Sequence, residues 1–196
     1  MNHLYEILAN SLEYPGEDWN TRLDRCRQWL TIQEPEVAVQ FIRFRRKVQG
    51  LSIAQLQELY TRTFDLNPVC TLDIGYHLFG ENYKRGELLA KLRETEAPYE
   101  LGQANQLPDH LPVLLRLLAK LEDEELRLAL IGEILIPALG KMLEALSQTD
   151  NPYGNLIEVI NNALKNEVPE SSASCQLAPG EQLPELYRIS SRASTR

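Results

Sequence analysis

Cysteine and histidine are both scarce in this 196-residue chain, three of each, and their placement excludes more than their number does. Cys26, Cys70 and Cys175 lie far apart and outside any Cys-x-x-Cys spacing, so neither a disulfide framework nor a zinc site follows, and a reducing compartment is the natural setting. His3, His77 and His110 belong to no Glu-x-x-His pair, which a di-iron carboxylate bundle needs from two helices. Basic charge is in deficit as well. Twenty Lys+Arg against 28 Asp+Glu give a formal charge of -8, the wrong sign for neutralising phosphates, so no nucleic-acid partner is expected. Long apolar runs are also missing: Met1-Asn2-His3-Leu4-Tyr5-Glu6 has no cationic start leading into an unbroken apolar stretch, and no later segment is long and uncharged enough to span a bilayer. The expectation is a cytoplasmic, soluble protein that is not integral to a membrane.

Nor is there a Gly-x-x-x-x-Gly-Lys phosphate loop or a Gly-x-Ser-x-Gly elbow, and no serine or cysteine is matched to a base. The sequence therefore gives no catalytic residue, no metal ligand and no cofactor of its own. What it has is 43% apolar residues, enough for one domain with a continuous core. The acidic excess gathers between Glu81 and Glu125, where it would attract a basic segment, although a solvated helix face is the simpler account.

Apolar residues recur at helical spacing almost throughout. Leu4, Ile7, Leu8 and Leu12 predict a helix that stops at Tyr14-Pro15-Gly16, a second begins near Asp18 with Leu23, Cys26 and Leu30 inward, and a third follows Glu34-Pro35 with Val37, Phe41, Phe44 and Val48 on one side. Ser52 and Gln55 form a capping box for a fourth helix, lined by Leu56, Leu59, Tyr60 and Phe64 and ended by Asn67-Pro68. Thr71 is expected to cap a fifth that runs through Phe79 and breaks at Gly80, and Asn82 to Arg93 form a sixth. A polar connection from Glu94 to Gln106 leads to Asp109, expected to open and cap a helix carrying Leu111, Leu114, Leu115 and Leu118.

Asp123 opens the most apolar helix, expected to be central, to kink at Pro137, and to admit a close neighbour along Gly132, Ile136 and Gly140. Asn151-Pro152 starts the last, with Leu156, Ile157, Ile160 and Leu164 buried. No long period-two run appears. The expected fold is an all-α, single-domain multi-helix bundle over residues 1–166, followed by a mobile polar C-terminal tail over 167–196 in which Leu183, Leu186, Tyr187 and Ile189 are expected to form one short helical turn that docks on the body or on a partner.

Between Tyr60 and His110, aromatics, acids and histidines recur beside helix breaks: Tyr60, Phe64-Asp65, Tyr76-His77, Gly80-Glu81 and Leu107-Pro108-Asp109-His110-Leu111-Pro112. Asp65 sits where a helix C-terminus disfavours negative charge, with Arg62 as the local compensating cation, and His110 sits where a helix N-terminus disfavours imidazolium. Core packing is the simpler account of the aromatics, and capping that of Asp109. An alternative in another class is a metal-dependent all-helical hydrolase or small-ligand enzyme using His77 or His110, and a third is a structural subunit retained in its complex.

Together with Leu12-Glu13-Tyr14-Pro15 and Arg85-Gly86, these residues make the chain resemble the respiratory nitrate reductase molybdenum cofactor assembly chaperones, or delta subunits, within the wider cytoplasmic redox-enzyme maturation chaperones, over residues 4 to 120 in register with a helical continuation to about 165. Tyr76 stands where that family commonly has an acidic residue. The resemblance implies an all-helical cytoplasmic chaperone, not an enzyme, that binds the catalytic subunit of a molybdenum-dependent respiratory reductase, including its N-terminal segment, until the molybdenum cofactor is inserted. It implies partner-binding residues Tyr60, Phe64, Asp65, Tyr76, His77, Asp109 and His110, and either a monomer or a dimer formed by exchange of segments through the 94–106 connection.

Overall fold

The computed structural model describes residues 2–66, 70–99, 101 and 106–168. Among them helix follows helix: α1 (Asn2–Ser11), α2 (Trp19–Gln33), α3 (Pro35–Val48), α4 (Ile53–Phe64), α5 (Ile74–Phe79), α6 (Tyr83–Glu96), α7 (Leu111–Lys120), α8 (Glu124–Ala129), a π-helical stretch over Leu130–Leu135, α9 (Ile136–Ser147) and α10 (Tyr153–Lys165). No strand occurs among the described residues, where the extended pairing is an isolated antiparallel bridge between Asp73 and His110. The all-α expectation is met. The expected stop at Asn67-Pro68, Cys175 and residues 169–196 lie outside the described residues.

The start signals work where a side chain reaches the first free N–H groups. The Ser52 hydroxyl accepts from the Gln55 N–H at 3.3 Å while the Gln55 side chain accepts from the Ser52 N–H at 2.9 Å, a complete capping box on α4. Asn82 accepts from the Lys84 N–H to start α6, and Asp123 accepts from the Leu126 N–H to start α8. Thr71 does not cap α5: its hydroxyl accepts from the Asp73 N–H at 3.2 Å in a tight turn, and the helix begins three residues later at Ile74.

Pro137 falls in the first turn of α9, directly after the π-helical stretch, whose wider turn makes room for the ring against the carbonyl four residues back, and helical backbone runs unbroken from α8 into α9. Among the described residues no close neighbour meets the Gly132–Gly140 stripe: a Cβ at either glycine would meet nothing within 4 Å, and Gly140 is exposed. Nor is this run the most enclosed helix: in α7, eight of ten residues are buried, and only Arg116 and Lys120 reach outward.

α7 packs on α1, α1 on α2 and α2 on α3, while α10 packs on both α3 and α9 and α5 sits on α9 and α6. Aromatic rings fill the seam between α3, α4 and α10. Phe44 lies 5.5 Å from Tyr153, which is 4.8 Å from Phe64 and 5.9 Å from Tyr60, centroid to centroid. Each fully buried ring contributes ~1.5–3 kcal/mol relative to exposure. Tyr60 and Phe64 thus belong to the core, and their helix is fixed by it.

Candidate functional site

Arg85 of α6 stands between two carboxylates from different parts of the chain. Its Nε donates to Asp109 Oδ2 at 2.9 Å and its Nη2 to Asp73 Oδ2 at 3.1 Å. Asp73 directly precedes α5 and Asp109 lies two residues before α7, so one guanidinium ties the starts of two helices to a third. The backbone reinforces this, with the Ile74 N–H donating to the Asp109 carbonyl and the Leu111 N–H to the Leu72 carbonyl, each at 2.9 Å.

That pairing overturns the expected role of Asp109. Its carboxylate does not accept from the Leu111 N–H, which is already taken; it accepts from the Gly75 N–H at 3.2 Å and from Arg85. His110, not Asp109, occupies the position before the first turn of α7. Asp109 is 0% exposed, so its carboxylate offers nothing to a partner and instead holds the ledge together. Burial pushes its carboxyl above the ordinary range, and Arg85 and the Gly75 N–H oppose that rise. Gly75 is needed for the close approach: a Cβ there would lie 2.8 Å from Asp109 Oδ2 and 3.2 Å from Arg85 Cγ.

His110 faces the second carboxylate. Its Nδ1 is 3.4 Å from Asp73 Oδ1, and because a carboxylate only accepts, Nδ1 carries the hydrogen. The bond from His110, and after it the charges of His110 and Arg85, hold the Asp73 carboxyl below its ordinary range despite partial burial. His110 also acts on Asp65 at the end of α4: partial burial raises that carboxyl and the imidazole opposes the rise. Arg62 is the expected compensating cation for Asp65, but among the described residues no ion pair joins the two, and the charge that opposes the rise at Asp65 is that of His110.

Tyr76 is 46% exposed, with the Arg85 guanidinium 5.8 Å from its ring centroid. His77 turns the other way: its Nε2 donates to the Thr71 carbonyl at 2.8 Å, and burial lowers its pKa. Cys70 approaches the same nitrogen at 3.9 Å, but burial pushes its thiol up to about 12, so it is no nucleophile at neutral pH. Among the described residues no group of three or more His, Cys, Asp and Glu is placed to hold a metal ion.

The seven expected partner-binding residues therefore separate. Tyr60, Phe64 and Asp109 are buried, His77 is half-buried and hydrogen-bonded to its own loop, and Asp65, Tyr76 and part of His110 reach the surface. Sequence reasoning overlooked Asp73 and Arg85 as parts of the site, although Arg85 stood among the motif residues. It also overlooked Leu66, 70% exposed next to Asp65, and Leu107, 43% exposed three residues before His110. An apolar residue directly after a helix end is the signal that could have found Leu66.

No described helix is long and apolar enough to cross a membrane. A family model described as nitrate reductase delta subunit matches residues 33–159, more than half of the chain. Over 164 residues the chain is 27% identical to the probable nitrate reductase molybdenum cofactor assembly chaperone NarJ of Bacillus subtilis (strain 168), covering 83% of this chain and 88% of that one. Over 119 residues it is 28% identical to the nitrate reductase molybdenum cofactor assembly chaperone NarJ of Escherichia coli (strain K12), covering 60% of this chain and 49% of that one. The resemblance read from the motif residues agrees with all three, and the family match runs further towards the C-terminus than those residues do.

Proposed function

Because the chain belongs to the nitrate reductase delta subunit family, we propose that it is a cytoplasmic chaperone for nitrate reductase maturation, not an enzyme. It binds the catalytic subunit, including its N-terminal segment, and holds it competent for molybdenum cofactor insertion. The chaperone domain is residues 1–166, with 167–196 appended, and exchange of segments through the 94–106 connection is the route to any dimer. The hydrolase alternative has no support, since the relatives carry chaperone names and the His77 Nε2 and His110 Nδ1 are both engaged within the chain.

One observation carries this reading: exposed apolar and acidic side chains surround a ledge braced from within by the pairing of Arg85 with Asp73 and Asp109. Leu66, Tyr76 and Leu107 are exposed apolar anchors, while Asp65 and the outer edges of Asp73 and His110 supply charge and hydrogen bonding. Such a face suits a basic amphipathic helix, held by its apolar stripe and oriented by its cations. In sequence, the excess of Asp and Glu gathers between Glu81 and Glu125, the stretch that contains α6 and α7.

The test is co-purification with a nitrate reductase catalytic subunit. Asp65→Ala combined with Tyr76→Ala, at two exposed positions that leave the ion network intact, should reduce recovery about tenfold, the effect of roughly 1.4 kcal/mol. His110→Ala should reduce it further. Asp109→Ala is the wrong probe, since it strikes the scaffold. Unchanged recovery of the subunit after the Asp65 and Tyr76 substitutions would remove the proposed surface.

A further inference from the structure

His3 of α1 lies edge-on to Trp29 of α2, with ring centroids 6.0 Å apart, and Arg22 of α2 donates to the Asn10 carbonyl of α1 at 3.1 Å, so the two helices run antiparallel. Between them opens a pocket of about 420 Å³ that shares no lining residue with the ledge of α5, α6 and α7. One end is apolar. Ile7 and Trp29 are half-buried there and packed on the core, and Ile32 near the end of α2 is 75% exposed. The other end is cationic: Arg22 is fixed by its bonds to the Asn10 and Tyr14 carbonyls, and Arg25 is exposed beside it. Among the described residues no carboxylate lines the pocket, although acids outnumber bases 28 to 20 in the chain. Asp18, itself largely exposed, offsets part of the Arg22 charge at 3.3 Å. Asp24 is taken by Arg27 and Arg45, which leaves the Arg25 guanidinium without a carboxylate among the described residues.

We infer that this pocket binds a small aromatic anion, a flat ring that carries a carboxylate or a phosphate. The ring packs against Trp29 between Ile7 and Ile32, where an offset or edge-on aromatic contact is favoured. The acid group meets Arg25, whose planar fork donates two parallel N–H bonds to either group, and the fixed charge of Arg22 lies behind it. Charge selects the anion, since two guanidiniums converge where no acid opposes them within the pocket. Size selects a small molecule over a partner's helix. The volume falls within the roughly 300–1,000 Å³ typical of ligand sites, whereas the stretch from His3 to Asn10 spans only ~10 Å, about two turns of any helix laid along it. This site is independent of the client-binding ledge.

The test titrates the full chain with four probes of one shape: naphthoate, naphthyl phosphate, neutral naphthalenemethanol and cationic naphthylmethylammonium. Proton–nitrogen NMR follows the Trp29 indole N–H, assigned with Trp29→Phe, while the fully buried Trp19 serves as the internal reference. The two anions should shift the Trp29 signal with a Kd on the order of 0.1 mM, and whichever binds tighter names the acid group. The neutral probe should bind about tenfold more weakly and the cation weaker still. Arg25→Glu and Ile32→Asp, both at exposed positions, should each reduce anion affinity about tenfold with the melting temperature unchanged. Leu66→Asp on the ledge should leave anion affinity unaltered, and Arg25→Glu should leave recovery of the nitrate reductase subunit unaltered, so failure here is distinguishable from failure of the client-binding reading. No shift of the Trp29 signal at several times the expected Kd, equal binding of all four probes, or affinity indifferent to Arg25→Glu would overturn the inference.

Discussion

Removing the Arg85 guanidinium while keeping the length of its side chain isolates the central element of the ledge. In Arg85→Met, Asp109 keeps only the Gly75 N–H at 3.2 Å, and its Oδ1, already without a hydrogen-bond partner, remains buried. Breaking a buried pair in this way costs about 3–5 kcal/mol. Here the lower figure applies, because the Arg85 side chain is 18% exposed and water can enter the vacated space. A second bound agrees: Asp109 can escape its buried charge by taking up a proton, which from an ordinary carboxyl near 3.8 to pH 7 costs roughly 4 kcal/mol at about 1.4 per pH unit. Urea unfolding followed by helical circular dichroism should therefore move its midpoint down by roughly 1.5 M, taking ~2 kcal/mol/M for the slope. The sign with pH is fixed too. A carboxyl whose folded pKa lies above its unfolded value binds more protons when folded, so stability falls as pH rises, and the variant's deficit should shrink by up to ~1.4 kcal/mol per unit between pH 7 and 5. Adding Asp109→Asn, which removes the charge but still accepts from Gly75, should recover most of the loss. A midpoint shift below about 0.5 M, or a double variant no more stable than the single one, would refute the account.

Gly75→Ala should destabilise by about 1–3 kcal/mol through forced contact with Asp109 and Arg85. Gly140→Ala, where a Cβ meets nothing within 4 Å on an exposed helical turn, should stabilise by about 0.5–1 kcal/mol; chemical denaturation of the pair checks both signs. Cys26 and Cys70, each pushed up to about 12 by burial, should resist iodoacetamide at pH 8 in the native chain and react once urea is added, as read by intact mass. His77, with its folded pKa lowered by burial, binds fewer protons folded than unfolded, so its contribution is present above the ordinary histidine pKa and is lost as pH falls below it. His77→Gln should flatten that part of the melting-temperature profile between pH 7 and 5, and an unaltered slope would count against a buried neutral ring.

Which parts of this protein are legible in its sequence follows from the range of the interactions involved. Ser52 with Gln55, and Asn82, speak to residues two or three positions away, and their caps form as written. The apolar stripes of α1, α3, α4 and α10 are likewise local patterns, and each buries the face it announces. Asp109 fails for the opposite reason. Its partners, Gly75 and Arg85, lie 34 and 24 residues away, and nothing within Leu107 to Pro112 signals them. The Gly132 and Gly140 pair misleads in the same way: small residues permit a close neighbour, but only the path of the chain decides whether one arrives. The bridge between Asp73 and His110 is too short to leave a period-two pattern, although it fixes the orientation of both ends of the site.

That bridge explains why one short motif holds residues of two kinds. Around it side chains alternate: Leu72 and Ile74 are buried while Asp73 between them is partly open, and Asp109 and Leu111 are buried while His110 between them is partly open. Neighbours in sequence thereby part ways, Asp109 bracing Arg85 from within and His110 keeping one edge at the surface proposed to meet the client. The same division separates Phe64, in the aromatic seam, from Asp65 and Leu66, on the surface. It follows that loss of assembly after a change in this motif has two distinct origins. Substitutions at Asp109, Arg85 or Gly75 should lower the unfolding midpoint and client recovery together. Substitutions at Asp65, Leu66, Tyr76 or Leu107 should lower recovery with the midpoint unchanged, and if the two sets could not be told apart by that comparison, the ledge and the contact surface would not be separate things.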